Sequence, residues 1–228
     1  MKTTIFFSNV IGDICSENCV SECEFNEHSA NLFKRFVKSG QNLVFVNAPG
    51  FANDNLWFDS TIESFKKIGI NFANSIQVDE KTNAVQFESF PKENRVYFLM
   101  GGNPLTQKKI IEKFSLNETL KSFDGVVIGF CAGAINLSKH SIITSDDDFL
   151  EPLVYDGIER VQISVEPHFK LDDTDFTKNR LKELFDFCNK IDSCIHAIPD
   201  TSCILIQNEN VEFYGDVYLI TQTSVKKI

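Results

Sequence analysis

The sequence predicts an α/β fold in which a mainly parallel sheet lies between layers of helices. Short apolar runs alternate with amphipathic stretches from Thr4 to Lys190. The apolar, β-branched run Asn42–Asn47 is typical of a strand buried on both faces, as the strands of parallel sheets are. From Cys194 onward the pattern changes to strands joined by turns, and the run at 208–210 predicts a hairpin turn. We therefore expect one α/β domain over residues 1–228 that ends in β-hairpins.

The apolar spacing predicts the elements in chain order. Strands are predicted at Thr4–Val10, Asn42–Asn47, Ile70–Val78, Arg95–Met100, Asp124–Phe130 and Val161–Val165, and within 194–198, 202–206, 211–215 and 217–222. Helices are predicted at His28–Lys38, Asp54–Lys67, Leu105–Phe114, Ala132–Lys139 and Asp175–Lys190. The carboxyl ends of parallel strands gather the ligand-binding groups of such folds, so residues that follow the strands are the first candidates for a site.

Charge and hydropathy exclude several classes of partner. The chain has 22 basic and 32 acidic residues and a formal charge of −10, which disfavours nucleic-acid binding through a broad basic face. No apolar run reaches the length that spans a bilayer, and the start of the chain lacks the longer apolar core of a signal peptide. We expect a cytoplasmic protein without a membrane or nucleic-acid partner, and either a monomer or a homodimer.

Seven cysteines raise the question of a metal site. Cys15, Cys19 and Cys23 recur at every fourth residue, so on a helix they would share one face. No histidine lies close to them, and the spacing differs from the two-residue type of zinc sites. The pattern favours half-buried structural thiols, and we expect no metal and no cofactor.

The segment Gly129-Phe130-Cys131-Ala132-Gly133 is the strongest local signal of chemistry. It follows an apolar strand and opens a helical pattern, with glycines two residues before and two after Cys131. This is the form of a nucleophile elbow, a tight strand-to-helix turn that lifts the nucleophile out of the sheet. The turn also places the thiol at a helix N-terminus, where partial positive charge favours an anion. A buried cysteine in a glycine-rich turn is the alternative interpretation.

A cysteine nucleophile needs a base, and His168 is the best placed of the four histidines because it follows a predicted strand. His140 stands at the predicted end of the helix after the elbow, where a cation is favourable for structural reasons. Asp200, which follows another strand, is the candidate that orients His168. Glu166 and Asp156 are competing carboxylates for that role.

Oxyanion donors are the remaining requirement for acyl transfer. The backbone N–H of Ala132, next after the nucleophile, is one natural donor. The turn Gly101-Gly102-Asn103 follows an earlier strand and could supply another, because small residues let the backbone approach a substrate closely.

These four pieces occur in the order Gly-Gly-Asn, Gly-x-Cys-Ala-Gly-Ala, Pro-His-Phe and Ile-Pro-Asp. The chain thereby resembles the peptidase E (aspartyl dipeptidase) family, which includes cyanophycinase and has a class I glutamine amidotransferase-like, three-layer fold. The resemblance covers most of the chain. It implies Cys131 as nucleophile, His168 as base, Asp200 as the acid that holds the base, and the backbones of Gly102 and Ala132 as the oxyanion hole.

Three departures from the family pattern matter. The nucleophilic serine is Cys131 here, Met100 stands where the glycine turn usually has another glycine, and Thr177 stands where aspartate-specific members have an arginine. Arg180 is the nearest arginine in sequence. The candidate substrate-binding residues are therefore Asn103, Thr177 and Arg180, and specificity for an N-terminal aspartate is not expected to carry over unchanged.

The expected function is hydrolysis of amide bonds in small peptides. A catalytically inactive or redox-sensing binding protein on the same fold is the first alternative, because the serine-to-cysteine change permits it. A glutamine amidotransferase-like glutaminase is the second. That class uses cysteine, but it has the order His-x-Glu, whereas this chain has Glu166-x-His168.

Overall fold

The computed structural model describes residues 1–10, 24–49, 54–146 and 149–228. Within these ranges the strands are β1 Thr3–Phe7, β2 Asn42–Val46, β3 Asn74–Val78, β4 Arg95–Leu99, β5 Val126–Phe130, β6 His140–Ile143, β7 Leu153–Asp156, β8 Ser164–Pro167, β9 Ile195–Ile198, β10 Cys203–Gln207, β11 Asn210–Tyr214, β12 Tyr218–Ile220 and β13 Val225–Lys227. The helices are α1 Glu27–Phe36, α2 Asp54–Lys67, α3 Ala84–Ser89, α4 Pro104–Lys113, α5 Leu116–Ser122, α6 Ala132–Leu137 and α7 Asp175–Ile191.

The central sheet has the strand order β11-β10-β1-β5-β4-β2-β3. Strands β1 to β5 of this sheet run parallel, whereas β10 pairs antiparallel with β1 and continues through a hairpin into β11. The hairpin turn predicted at 208–210 lies at this connection.

Both faces of this sheet are covered by helices, as the continuous apolar runs predict. In β2, Val44 and Val46 pack on the side of α4 and α5, and Leu43 and Phe45 pack on the side of α1 and α2. Each of these four side chains is buried. A strand buried on both faces needs apolar residues at successive positions, which explains the run that identified it.

A second, four-stranded sheet has the order β13-β12-β9-β8, with β8 parallel to β9. Its core includes Ile195, Ala197 and Ile220, and it packs against Leu184 and Phe187 of α7. The carboxyl ends of β8 and β9 point to the same edge, so the residues that follow them lie close together. Strands β6 and β7 form a separate antiparallel pair.

The fold class is confirmed: the central sheet is mostly parallel, helices flank it, and antiparallel strands follow toward the C-terminus. Some element boundaries were wrong. The helix predicted to extend to Lys139 ends at Leu137, because Ser138 has an extended backbone and its hydroxyl donates to the Ala134 carbonyl. His140 therefore begins β6 and does not end a helix, and the strand predicted at Val161–Val165 runs from Ser164 to Pro167.

Candidate active site

Five chain segments reach the candidate site from the carboxyl ends of strands. Ser8 follows β1, the turn of Gly101 and Gly102 follows β4, Cys131 follows β5, His168 follows β8, and Asp200 follows β9 by two residues. This is the edge at which open α/β sheets bind ligands. Residues far apart in the sequence meet here because the parallel strands end together.

The elbow at Cys131 has the strained backbone expected of a nucleophile turn. Cys131 has φ 48° and ψ −106°, which is unusual for a residue with a side chain, and its N–H donates to the Phe7 carbonyl at 2.9 Å. A Cβ added to Gly133 would lie 2.2 Å from the Leu99 carbonyl oxygen, and one added to Gly129 would lie 2.8 Å from the Ala134 nitrogen. The glycine spacing is thus required by close contact between the elbow, β4 and α6.

His168 connects the thiol to a carboxylate. Its Nδ1 lies 2.6 Å from Asp200 Oδ1, and its side chain also hydrogen-bonds Cys131. Because Nδ1 is hydrogen-bonded to Asp200, the other ring nitrogen is the one available to hydrogen-bond Cys131. This is the relay in which an acid orients a base and the base contacts a nucleophile.

The same contacts control the charges of the pair. Burial lowers the pKa of His168, but hydrogen bonds to Asp200 and Cys131 and the negative charge on these groups outweigh burial and raise the pKa to about 10. The hydrogen bond from His168 lowers the pKa of Asp200. These contacts together favour the protonated form of the imidazole.

Ser8 is a site residue that the sequence analysis missed. Its buried hydroxyl accepts the backbone N–H of His168 at 2.6 Å and donates to Asp200 Oδ1 at 2.8 Å. The hydroxyl thus fixes both His168 and Asp200, and it holds His168 in a backbone conformation with φ 54°. A serine after a strand gives no recognisable motif, so the sequence offered no signal beyond its place at a strand end.

The glycine turn after β4 lies against the elbow. Gly102 has φ +132°, and an added Cβ there would lie 2.1 Å from the Ala48 carbonyl oxygen, so only glycine fits. A Cβ on Gly101 would lie 3.2 Å from Cys131 Cβ, which brings this turn next to the thiol. The Asn103 side-chain oxygen accepts from the N–H groups of two residues in the first turn of α4 and thus caps that helix.

A cleft of about 350 Å³ opens at these groups. Gly102, Cys131 and His168 line it together with an apolar wall. That wall consists of Pro104, Ile135, Ile142, Ile143, Phe149 and Phe176. Thr177 does not line the cleft: it is buried, and its hydroxyl donates to Asp172 at 2.7 Å.

Arg180 lines the cleft, but its guanidinium already has several partners. It forms an ion pair with Glu166 and donates to the carbonyl oxygens of Pro167 and His168 at 2.9 and 3.1 Å. Glu166 therefore contacts Arg180, whereas Asp200 is the carboxylate at the His168 ring. The third candidate acid, Asp156, is exposed and lies beside His140, with its Oδ1 3.9 Å from that Nδ1.

The remaining expectations concern metal binding, the three N-terminal cysteines and membrane spans. Among the described residues, no three His, Cys, Asp or Glu side chains are grouped as a metal ion would require. Cys15, Cys19 and Cys23 lie outside the described ranges. None of the helices described is long and apolar enough to cross a membrane.

An elbow nucleophile beside an imidazole and a carboxylate is the arrangement of hydrolases that act through a covalent intermediate. Comparison with family models gives a more specific result. The chain matches the model of peptidase family S51 over residues 14–214, and it belongs to that family. Membership supports a peptidase function.

Solved structures agree on the fold. The chain is similar to a crystal structure described as a candidate peptidase E protein from Listeria monocytogenes EGD-e, with a TM-score of 0.62 and 14% sequence identity. The similarity covers 94% of this chain and 98% of the other. No curated protein matches the chain in a sequence search.

Proposed function

We propose that this chain is a peptidase that hydrolyses amide bonds of short peptides with Cys131 as nucleophile, His168 as acid and base, and Asp200 as the group that orients His168. The observation that supports this proposal most strongly is that one imidazole contacts both the thiol and the carboxylate. A cysteine that merely fills space in a glycine-rich turn has no need of this pair.

In the first half of the reaction, the Cys131 sulfur, whose proton His168 has taken, attacks the carbonyl carbon and forms a C–S bond while the carbonyl becomes an oxyanion. The N–H groups of Gly102 and Ala132 are the proposed donors to that oxyanion. His168 gives its proton to the leaving amine nitrogen, the C–N bond breaks, and a thioester remains on Cys131.

In the second half, His168 removes a proton from water, and the resulting hydroxide attacks the thioester carbon. The C–S bond breaks, the carboxylic acid product leaves, and Cys131 returns to its starting state with a protonated His168. Asp200 keeps Nδ1 bound throughout, so the ring presents the same nitrogen to Cys131 and to the substrate.

The size of the cleft supports small substrates. A volume of about 350 Å³ is near the lower end for ligand pockets, which run from about 300 to 1,000 Å³. The apolar wall beside Cys131 suits a short peptide with an aliphatic side chain.

The direct test is a library of di- and tripeptides incubated with the wild type and with Cys131→Ala and His168→Ala, with products followed by mass spectrometry. We expect Cys131→Ala to abolish turnover and His168→Ala to reduce it by about 10²- to 10⁴-fold, since general acid–base catalysis contributes that much. Cys194→Ala, at a cysteine that does not line the cleft, is the matched control and should keep full activity. Turnover that survives in Cys131→Ala would refute the proposal.

A further inference from the structure

Two buried amide side chains join the glycine turn after β4 to the helix that follows the Cys131 elbow. Gln107 lies on α4 and is fully buried, and Asn136 lies on α6 and is only 2% exposed. Asn136 Nδ2 donates to Gln107 Oε1 at 3.1 Å. The first helix after the turn and the first helix after the elbow are therefore connected by a direct hydrogen bond between side chains.

The same two amides also bind the main chain at both ends of the glycine turn. Gln107 Nε2 donates to the carbonyl oxygens of Met100 at 2.8 Å and of Val46 at 3.2 Å. Asn136 Nδ2 donates to the carbonyl oxygen of Pro104 at 2.9 Å. Met100 precedes the turn and Pro104 follows it, so the amide pair holds the turn at both ends.

The partners permit only one arrangement of the amide pair. The Tyr155 hydroxyl donates to Asn136 Oδ1 at 2.8 Å, and burial raises the pKa of Tyr155 to about 12, so the hydroxyl keeps its proton at neutral pH. Main-chain carbonyl oxygens only accept, so an amide nitrogen must face each of them. Every nitrogen and oxygen of the two amides thus has a partner, and a fully satisfied buried network specifies one geometry.

This geometry bears on the two proposed oxyanion donors. Gly102 lies between the Met100 and Pro104 carbonyls that the amides bind, and Ala132 begins the helix that carries Asn136. An oxyanion hole needs both N–H groups at about 2.7–3.1 Å from one position. The distance between the donors depends on how the turn lies against α6, and the amide pair connects these two elements.

We propose that Gln107 and Asn136 are positioning residues that align the N–H groups of Gly102 and Ala132 on one oxyanion. Neither side chain lines the cleft, so both act through the main chain of the turn and of α6. The inference rests on the proposed peptidase function and adds the groups that align its oxyanion donors. Misalignment weakens the transition state more than the bound peptide, so kcat should fall while KM changes little.

The test compares two reactions of Cys131 that differ in their need for an oxyanion hole. The first probe is the peptide aldehyde acetyl-Ala-Leu-alaninal. The sulfur adds to its carbonyl carbon, a C–S bond forms, and the thiol proton passes through His168 to the former carbonyl oxygen, which lies where the oxyanion would form. Iodoacetamide alkylates the same sulfur by displacing iodide, and no oxyanion forms. Titration calorimetry gives the aldehyde Kd, and mass spectrometry gives the alkylation rate.

Three variants loosen the network. Gln107→Met keeps the side-chain length without the hydrogen bonds, Asn136→Asp sets an oxygen against the Pro104 carbonyl, and Tyr155→Phe removes only the donor to Asn136 Oδ1. We expect the first two to raise the aldehyde Kd about 10-fold or more, since loss of a whole oxyanion donor costs about 10²- to 10³-fold in rate. Tyr155→Phe should raise it about threefold, as loss of one hydrogen bond does. Alkylation of Cys131 should stay within about twofold of the wild type, because it depends on the thiolate alone.

Arg160→Leu is the control for a general loss of stability. The Arg160 guanidinium makes buried hydrogen bonds, but none of them goes to the glycine turn or to α6. This variant should therefore keep the aldehyde Kd of the wild type. Thermal melting checks that each variant is folded, and Tyr155→Phe, which loses a single hydroxyl, gives a result even where a substitution at a buried amide prevents folding.

The inference is overturned if the folded variants, Tyr155→Phe included, bind the aldehyde as tightly as the wild type. It is also overturned if alkylation slows by the same factor as aldehyde binding weakens, if Arg160→Leu raises the Kd equally, or if the wild type binds no aldehyde. A wild type that binds the aldehyde but cleaves no peptide would refute the proposed function alone. Peptide cleavage with unchanged kcat and aldehyde Kd in the variants would overturn the positioning role alone.

Discussion

The Ser8 hydroxyl offers a sharp test of how the candidate site is positioned, because one atom contacts both His168 and Asp200. Ser8→Ala removes the acceptor for the His168 N–H and the donor to Asp200 Oδ1. Ser8 is fully buried, so water cannot easily replace either bond. The thiol, the imidazole and the carboxylate all stay in place.

The size of the effect follows from the two shortest of the lost bonds. A neutral hydrogen bond contributes about 0.5–1.5 kcal/mol and one to a charged group about 1.5–3 kcal/mol. If about half of their sum of roughly 3 kcal/mol is expressed in the transition state, kcat falls about 10-fold, since 1.4 kcal/mol is one decade. We expect a 10- to 100-fold loss in kcat and little change in KM.

The assay is the pH profile of kcat and of kcat/KM on the best peptide from the library. The bond from Ser8 contributes to the lowered pKa of Asp200, so its loss should move the acidic limb of the profile to higher pH. The control is Ser202→Ala, since the Ser202 hydroxyl is buried without a hydrogen-bond partner among the described residues. An unchanged kcat and acidic limb in Ser8→Ala, or the same loss in Ser202→Ala, would refute the positioning role.

Three further predictions follow from the described contacts. Iodoacetamide should label Cys131 first at pH 7, and His168→Ala should slow that labelling about 10-fold or more. Burial raises the pKa of Cys188 to about 11 and of Cys203 to about 12, so these thiols should react far more slowly than Cys131. Labelling rates by mass spectrometry that are equal for all three cysteines would contradict an activated thiol at Cys131. The pKa of His168 rises from 6.5 to about 10 on folding, so its stabilising effect should be complete below pH 6.5 and lost as the pH rises through 10. Urea unfolding should show that the free energy of unfolding differs between the wild type and His168→Ala by an amount that shrinks as the pH rises. An amount that stays constant with pH would contradict the prediction. Arg160 is buried and donates to four main-chain carbonyls and a hydroxyl. Arg160→Leu should therefore lower the free energy of unfolding by about 3 kcal/mol or more. A loss under about 1 kcal/mol, measured by urea unfolding, would be inconsistent with these bonds.

The elements that could be predicted from the sequence are those fixed by local spacing. The helix predicted at Asp54–Lys67 is observed with those bounds, and the strand at β2 ends one residue before the predicted Asn47. Both patterns are set by which neighbours face the core, and that information is contained within the segment itself. The glycine spacing around Cys131 identified the elbow for the same reason.

Residues whose role depends on pairing across the chain could not be predicted. Ser8 contacts His168 across 160 positions and Asp200 across 192 positions, through strands whose order no local pattern specifies. Glu166 was considered only as a competitor for the His168 ring. Its actual partner, Arg180, lies on α7, which packs against the second sheet, so spacing along the chain could not distinguish the two roles.

The pairing of β1 with β10 also determines when the site can form during synthesis. The ribosome releases Ser8 and the Cys131 elbow long before the segment that carries Asp200 and β10, and β10 must then insert beside β1. A nascent chain that ends before β8 carries the thiol without its base or acid. In the proposed function, the relay is therefore complete only once Asp200 and β10 have left the exit tunnel, and a translation product cut short before Asp200 lacks it.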